Sequence, residues 1–149
     1  MKKVLIITAL LMSQLVQAHD EGHGPKLVDQ PKFGGKIAAV INKVEVKKGT
    51  KAKLLYKAEL TKNNQNMVRV YLYDKDMKPL TLESFKSAKA QLQFKDRKTK
   101  KWDSFDFNLD KKENAFVGKL PQSPRRPFNI DVSINGKDKK LFMAFDNLN

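Results

Sequence analysis

The sequence predicts an all-β domain: an antiparallel β-sandwich of seven or eight strands behind a flexible amino-terminal arm. Three observations carry that prediction. From Lys36 onward, apolar residues recur at every second position in runs of strand length, the period of a half-buried strand. Short polar clusters separate these runs, as hairpin-linked neighbours require, and no stretch sustains a helical period. Residues 19–35, by contrast, are polar and broken by Gly22, Gly24, Pro25, Pro31, Gly34 and Gly35, the texture of a tethered tail.

Along the chain, Ile37, Ala39 and Ile41 alternate in the first run, which Val44 and Val46 extend after a bulge. Leu54, Tyr56, Ala58 and Leu60 mark the second strand, and Val68, Val70 and Leu72 alternate with Arg69, Tyr71 and Tyr73 in the third. Lys62–Asn66 joins these two with hairpin chemistry. Asp74–Pro79 is a turn, and Leu80–Lys86 holds one helical turn capped by Thr81 or Ser84.

Ala88, Ala90, Leu92 and Phe94 alternate next, then Phe105, Phe107 and Leu109 after the basic run Lys95–Lys101. Trp102 has the opposite parity, so it covers the other face or precedes a bulge. Phe116, Gly118 and Leu120 form a short strand, and Pro121, Pro124 and Pro127 set the start of Phe128, Ile130, Val132 and Ile134. Asn135-Gly136 reads as a type I′ hairpin turn returning Leu141, Met143 and Phe145. Strands of this number and spacing fit an immunoglobulin-like sandwich without its cysteine pair; a small closed barrel is the alternative.

The first eighteen residues read as an export leader. Lys2 and Lys3 precede an apolar core from Val4 to Met12, and Val16-x-Ala18 matches the small-residue preference of signal peptidase. Spanning a membrane takes about 20 apolar residues, more than this run offers. Cleavage after Ala18 leaves residues 19–35 as the arm and 36–149 as one β-domain, directed to the periplasm. With no cysteine, the domain has only its buried core for stability.

Charge is the second bias. The mature chain carries 28 basic and 16 acidic residues, a formal +12, with dense runs at Lys95–Lys101 and Arg125-Arg126. Such a field attracts anionic lipid, acidic glycan or nucleic acid, though lysines on strands also discourage edge-to-edge association. Tyr71, Tyr73 and Trp102 would be stacking platforms for a nucleic acid; export argues against that partner.

Candidate chemistry concentrates in His19-Asp20-Glu21-Gly22-His23, which holds both histidines of the chain. After cleavage, His19 offers a divalent metal its α-amine and its imidazole together. His23 adds a second imidazole, and Asp20 or Glu21 an oxygen. Nitrogen and carboxylate ligands in tetragonal geometry favour Cu(II). Thioethers favour Cu(I), but Met67, Met77 and Met143 are scattered, and apolar-strand methionines usually fill packing gaps. Asp74 and Asp76 lack the oxygen spacing of a calcium loop and read as turn formers. Gly34-Gly35 is an isolated pair, no phosphate cradle, and a chain with no cysteine and histidines only on its arm assembles no nucleophile–base pair. The expectation is a non-enzymatic periplasmic protein that binds or hands over copper or a similar divalent ion through His19, His23 and Asp20. The alternative is a structural or interaction module whose basic surface binds anionic envelope material or a partner protein.

The order of features resembles a group of small exported proteins of Gram-negative bacteria. The stretches that carry the likeness are His23-Gly24-Pro25, Gly34-Gly35, Leu55–Leu60, Val68–Leu80, Pro127–Val132 and Phe142–Asn147. Some of those proteins are associated with heavy-metal efflux, which implies a periplasmic sandwich with a metal-efflux or envelope partner. The amino-terminal histidine is also similar to that of periplasmic copper-resistance sandwich proteins, which use it as a copper ligand. Only His19 carries over. Those proteins complete the site with histidines of the domain body, which this chain lacks, so the resemblance implies an exposed, exchangeable copper site.

Overall fold

The computed structural model describes residues 24–95, 102–121 and 126–149. Within them lie eight strands: β1 (Lys36–Asn42), β2 (Tyr56–Lys62), β3 (Met67–Tyr73), β4 (Ser87–Lys95), β5 (Trp102–Asp110), β6 (Ala115–Lys119), β7 (Phe128–Asn135) and β8 (Lys140–Leu148). All pairings are antiparallel, in the order β1-β2-β3-β6-β5-β4-β7-β8, and β8 returns to β1. No described helix is long and apolar enough to cross a membrane.

The expected immunoglobulin-like sandwich therefore gives way to a closed barrel. Two strands make the corners. β1 gives Lys36–Val40 to β2 and Ile41–Asn42 to β8. β5 pairs with β4 as far as Phe107 and then gives Asn108–Asp110 to β6. A strand that changes partner midway joins two faces without leaving an edge open. Alternation along each strand is the same in a sandwich and a barrel, which is why the sequence pattern left both open.

The interior is filled by Val40, Leu60, Val68, Val70, Leu72, Leu92, Ile130, Val132, Ile134, Leu141, Met143 and Phe145, each at most 1% exposed. Gly118 lies among them because a Cβ there would come within 2.9 Å of the Phe105 ring and 3.0 Å of the Phe107 ring. β8 keeps its parity through Phe145 and then shifts. Asn147 takes φ 53°, the Asn129 side chain accepts its N–H at 3.0 Å, and the extra residue turns Leu148 inward.

β1 departs from its expected parity. Ala38 and Val40 face the interior, whereas Ile41 packs outside with Ala52, Phe142, Ala144 and Val46. Both faces of this strand are covered, so apolar residues occupy both parities and alternation loses its meaning. Val44 and Val46 do not extend β1 either. They belong to a 3-10 segment, η1 (Lys43–Lys51), kinked at Gly49 with φ 52°. The Glu45 carboxylate holds η1 by accepting from Lys48 Nζ at 2.7 Å and from the Lys53 backbone at 2.8 Å.

A second short 3-10 turn, η2 (Leu82–Ser84), closes one barrel end, with Leu82 wholly buried. Thr81 occupies its N-cap position but makes no capping bond, and Ser84 lies inside the turn. Asn114, from the β5–β6 turn, does that work: its Oδ1 accepts from Leu82 N at 3.2 Å and its Nδ2 donates to the Leu80 carbonyl at 2.8 Å. The β7–β8 hairpin forms as expected, but its turn is 136–139. Asn135 stays in the strand opposite Lys140, and Gly136 N donates to the Lys139 carbonyl. Pairing of Asn135 side by side with Ser87 of β4 holds it in the sheet.

Candidate functional site

The arm meets the barrel on the outer face of β2 and β3. On β2, Ala58 and Leu60 face inward, so Lys57 and Glu59 point outward, where a charged residue ordinarily meets water. Glu59 is nevertheless fully buried and Lys57 only 8% exposed. The chain segment 29–35 covers both.

Glu59 is satisfied by four donors. Its Oε1 accepts from the backbone of Phe33 at 2.8 Å and of Gly35 at 2.9 Å. Its Oε2 accepts from the backbone of Lys32 at 2.9 Å and from the Tyr73 hydroxyl at 3.0 Å. Gly34, at φ 72°, curls the backbone so that neighbouring N–H groups converge on one point. The result is an anion nest whose anion is the protein's own carboxylate. A buried carboxylate left unpaired would cost several kcal/mol, and these bonds offset that cost.

Side chains extend the contact. Lys57 Nζ meets Asp29 Oδ1 at 2.7 Å, Phe33 stacks on Tyr71 with centroids 4.3 Å apart, and Lys32 Nζ lies 5.3 Å from the Tyr73 ring centre. Burial raises the pKa of Tyr71 and, more strongly, that of Tyr73, whose donated bond to Glu59 raises it further. Tyr73 is 1% exposed and Phe33 covers a face of Tyr71, so both rings pack against the arm, in line with the expectation that no nucleic acid stacks on them. The Trp102 side chain lies outside the described ones.

At its other end the arm begins on β1. Gly24, buried at φ 68°, sits where a Cβ would come within 3.0 Å of Ala39 Cβ and 3.2 Å of Ile41 Cγ2. The expected metal ligands His19, Asp20 and His23 lie outside the described residues, with His23 bonded directly to Gly24. Among the described residues, no group of three histidine, aspartate or glutamate side chains is placed to hold a metal.

Other candidates have structural places. Met143 is buried in the core, and Met67 and Met77 are half-buried, on β3 and in the following turn. Asp74 Oδ1 accepts from Asp76 N and Lys78 N at 2.8 and 2.9 Å, as a turn former does. Glu59 and Lys57 were not legible as site residues. Their only signal is a pair of charges on the outward parity of a strand, which usually means solvent. Comparison with family models, curated proteins and solved structures finds no match to this chain.

Proposed function

We propose that this is a non-enzymatic exported protein that binds copper or a similar divalent ion through His19, His23 and Asp20, on an arm rooted to a β-barrel. The supporting observation is the arm's seat. Gly24 packs on β1 and residues 32–35 close around Glu59, so the histidine segment joins the barrel at a fixed point. His19 is five residue steps from Gly24, a reach of roughly 18 Å at full extension. A metal held there stays beside the barrel wall, where a partner protein docking on the barrel can receive it.

The chemistry follows from the ligands. The α-amine and Nδ1 of His19 close a chelate ring on one metal, His23 contributes a third nitrogen, and Asp20 an oxygen. Binding requires a neutral amine and neutral imidazoles, so it weakens as pH falls. Titration of Cu(II) into the processed protein and into a His19→Ala, His23→Ala variant tests the reading. Loss of the tight phase in the variant is expected; equal affinity in both overturns it. A chain whose His19 α-amine is acetylated should lose affinity too, since an amide nitrogen in its place no longer offers the metal a free amine.

A further inference from the structure

The fold gathers one class of residue at one corner of the barrel. The register Asn42↔Leu141 sets the end of β1 beside the start of β8, so η1 and the β7–β8 hairpin are neighbours. Across them stand Lys43, Lys47, Lys48, Lys51 and Lys53 from one segment, and Lys137, Lys139 and Lys140 from the other, all exposed. Within these two segments the acidic residues are Glu45 and Asp138, and Glu45 is engaged with Lys48 and the Lys53 backbone. Lys43, Lys89 and Lys140 line one open depression together with Ser133, Phe142 and the two carboxylates of Asp106 and Asp131. No other stretch of the described residues combines so much charge of one sign with a seated backbone.

Val44 stands among these lysines and is 83% exposed, although Val46, two residues on, packs against the cluster of Ile41, Ala52, Phe142 and Ala144. That packing fixes η1 to β1 and β8, so Val44 projects from a rigid base. An exposed aliphatic side chain on a lysine-rich segment fits an interfacial membrane contact: ammonium groups meet anionic headgroups while the apolar group enters the boundary below them. A soluble polyanion would use the lysines and leave Val44 without a role.

We infer that this corner is a docking face for an anionic bilayer, with the lysines of η1 and the β7–β8 hairpin as the electrostatic contact and Val44 as the inserted residue. The inference stands on different residues from the metal reading, and neither depends on the other. Each lysine near an anionic surface contributes about a fivefold gain in affinity, and the attraction fades within a Debye length of about 8 Å at physiological ionic strength.

Co-sedimentation with vesicles of phosphatidylglycerol and phosphatidylcholine, against phosphatidylcholine alone, tests it. The full protein should bind the anionic vesicles, release with salt, and ignore the neutral ones. Lys47→Gln, Lys51→Gln and Lys139→Gln together should weaken binding by roughly a hundredfold or more. The same charge removed as Lys26→Gln, Lys36→Gln and Lys119→Gln should cost far less. Val44→Ser should weaken vesicle binding several-fold while leaving binding to a soluble sulfated polysaccharide unchanged. Equal loss from the two lysine triples overturns the face. A Val44→Ser variant that binds vesicles as tightly as the wild type overturns the bilayer in favour of a soluble polyanion. All the substituted side chains are exposed, and thermal melts of each variant should match the parent.

Discussion

Tyr73 donates its hydroxyl to Glu59 across 3.0 Å in a pocket that neither strand makes alone. The two residues sit on β3 and β2, and the arm is the lid over both. The same carboxylate accepts from the backbone of Lys32, Phe33 and Gly35, and so ties the barrel wall to the arm.

Removing the carboxylate should therefore loosen the arm before it harms the barrel. Glu59→Ala leaves three backbone N–H groups and one hydroxyl without their acceptor. A loss of about 2–4 kcal/mol is expected, limited by the water that a released arm admits. Glu59→Gln should be nearly as damaging, since its amide turns a donor toward donors. Hydrogen exchange at Lys32, Phe33 and Gly35 should accelerate more than exchange in β7 and β8. Equal acceleration everywhere would mean that Glu59 supports the whole barrel.

Alkaline titration reads the same pocket. Tyr71 and Tyr73 both titrate above their ordinary value of 10, chiefly because burial disfavours the phenolate. A pKa raised on folding stabilises the folded state fully below the unfolded value, and that stability drains away as pH climbs toward the folded one. At a pH just above 10, the native protein should show less tyrosinate absorbance than the same protein in urea. Its denaturation midpoint should fall as pH rises from there. Phe33→Ala, which uncovers Tyr71, should narrow the absorbance gap.

Inside the barrel, Gly118 should tolerate no side chain comfortably. Gly118→Ala places a methyl group against Phe105 and Phe107 within 3.0 Å. Destabilisation of about 1–3 kcal/mol is expected from the forced shift of those rings. Pairing it with Phe105→Leu should recover part of the loss, which a double-mutant cycle would measure.

Asn114→Ala should act at a distance along the chain. It removes both bonds that hold the turn around Leu82, 32 residues away, and leaves the Leu82 N–H without its cap. A cost of about 1–2 kcal/mol is expected in denaturant melts. Thr81→Ala, in the formal cap position, should cost much less because its side chain makes no capping bond.

The strands were the most legible part of the molecule. β3 alternates Val68, Val70 and Leu72 against Arg69, Tyr71 and Tyr73, and the structure buries the first set in the core. β1 was misread because Ile41 and Val40 are both wholly buried, on opposite faces, and periodicity records only a difference between faces. Asn135-Gly136 announced a hairpin, but its turn slid two positions, to 136–139, because Asn135 was held in the strand by pairing with Ser87 and Lys140. The arm was visible as a break in texture. Its seat was not, since Glu59 and Gly35 are 24 residues apart and neither is unusual alone.

By itself, the sequence determined the secondary structure class, the approximate strand boundaries and the one segment that holds both histidines. Those follow from local rules: side-chain period, turn residues and the donor atoms of two histidines. Only the tertiary structure decided that the strands close into a barrel, that Glu59 is the arm's anchor, and that lysines from η1 and β8 share one corner. Closure depends on β1 and β5 changing partners midway, and burial of a charge depends on what folds over it. Such relations join residues far apart in the chain, and no short-range pattern encodes them.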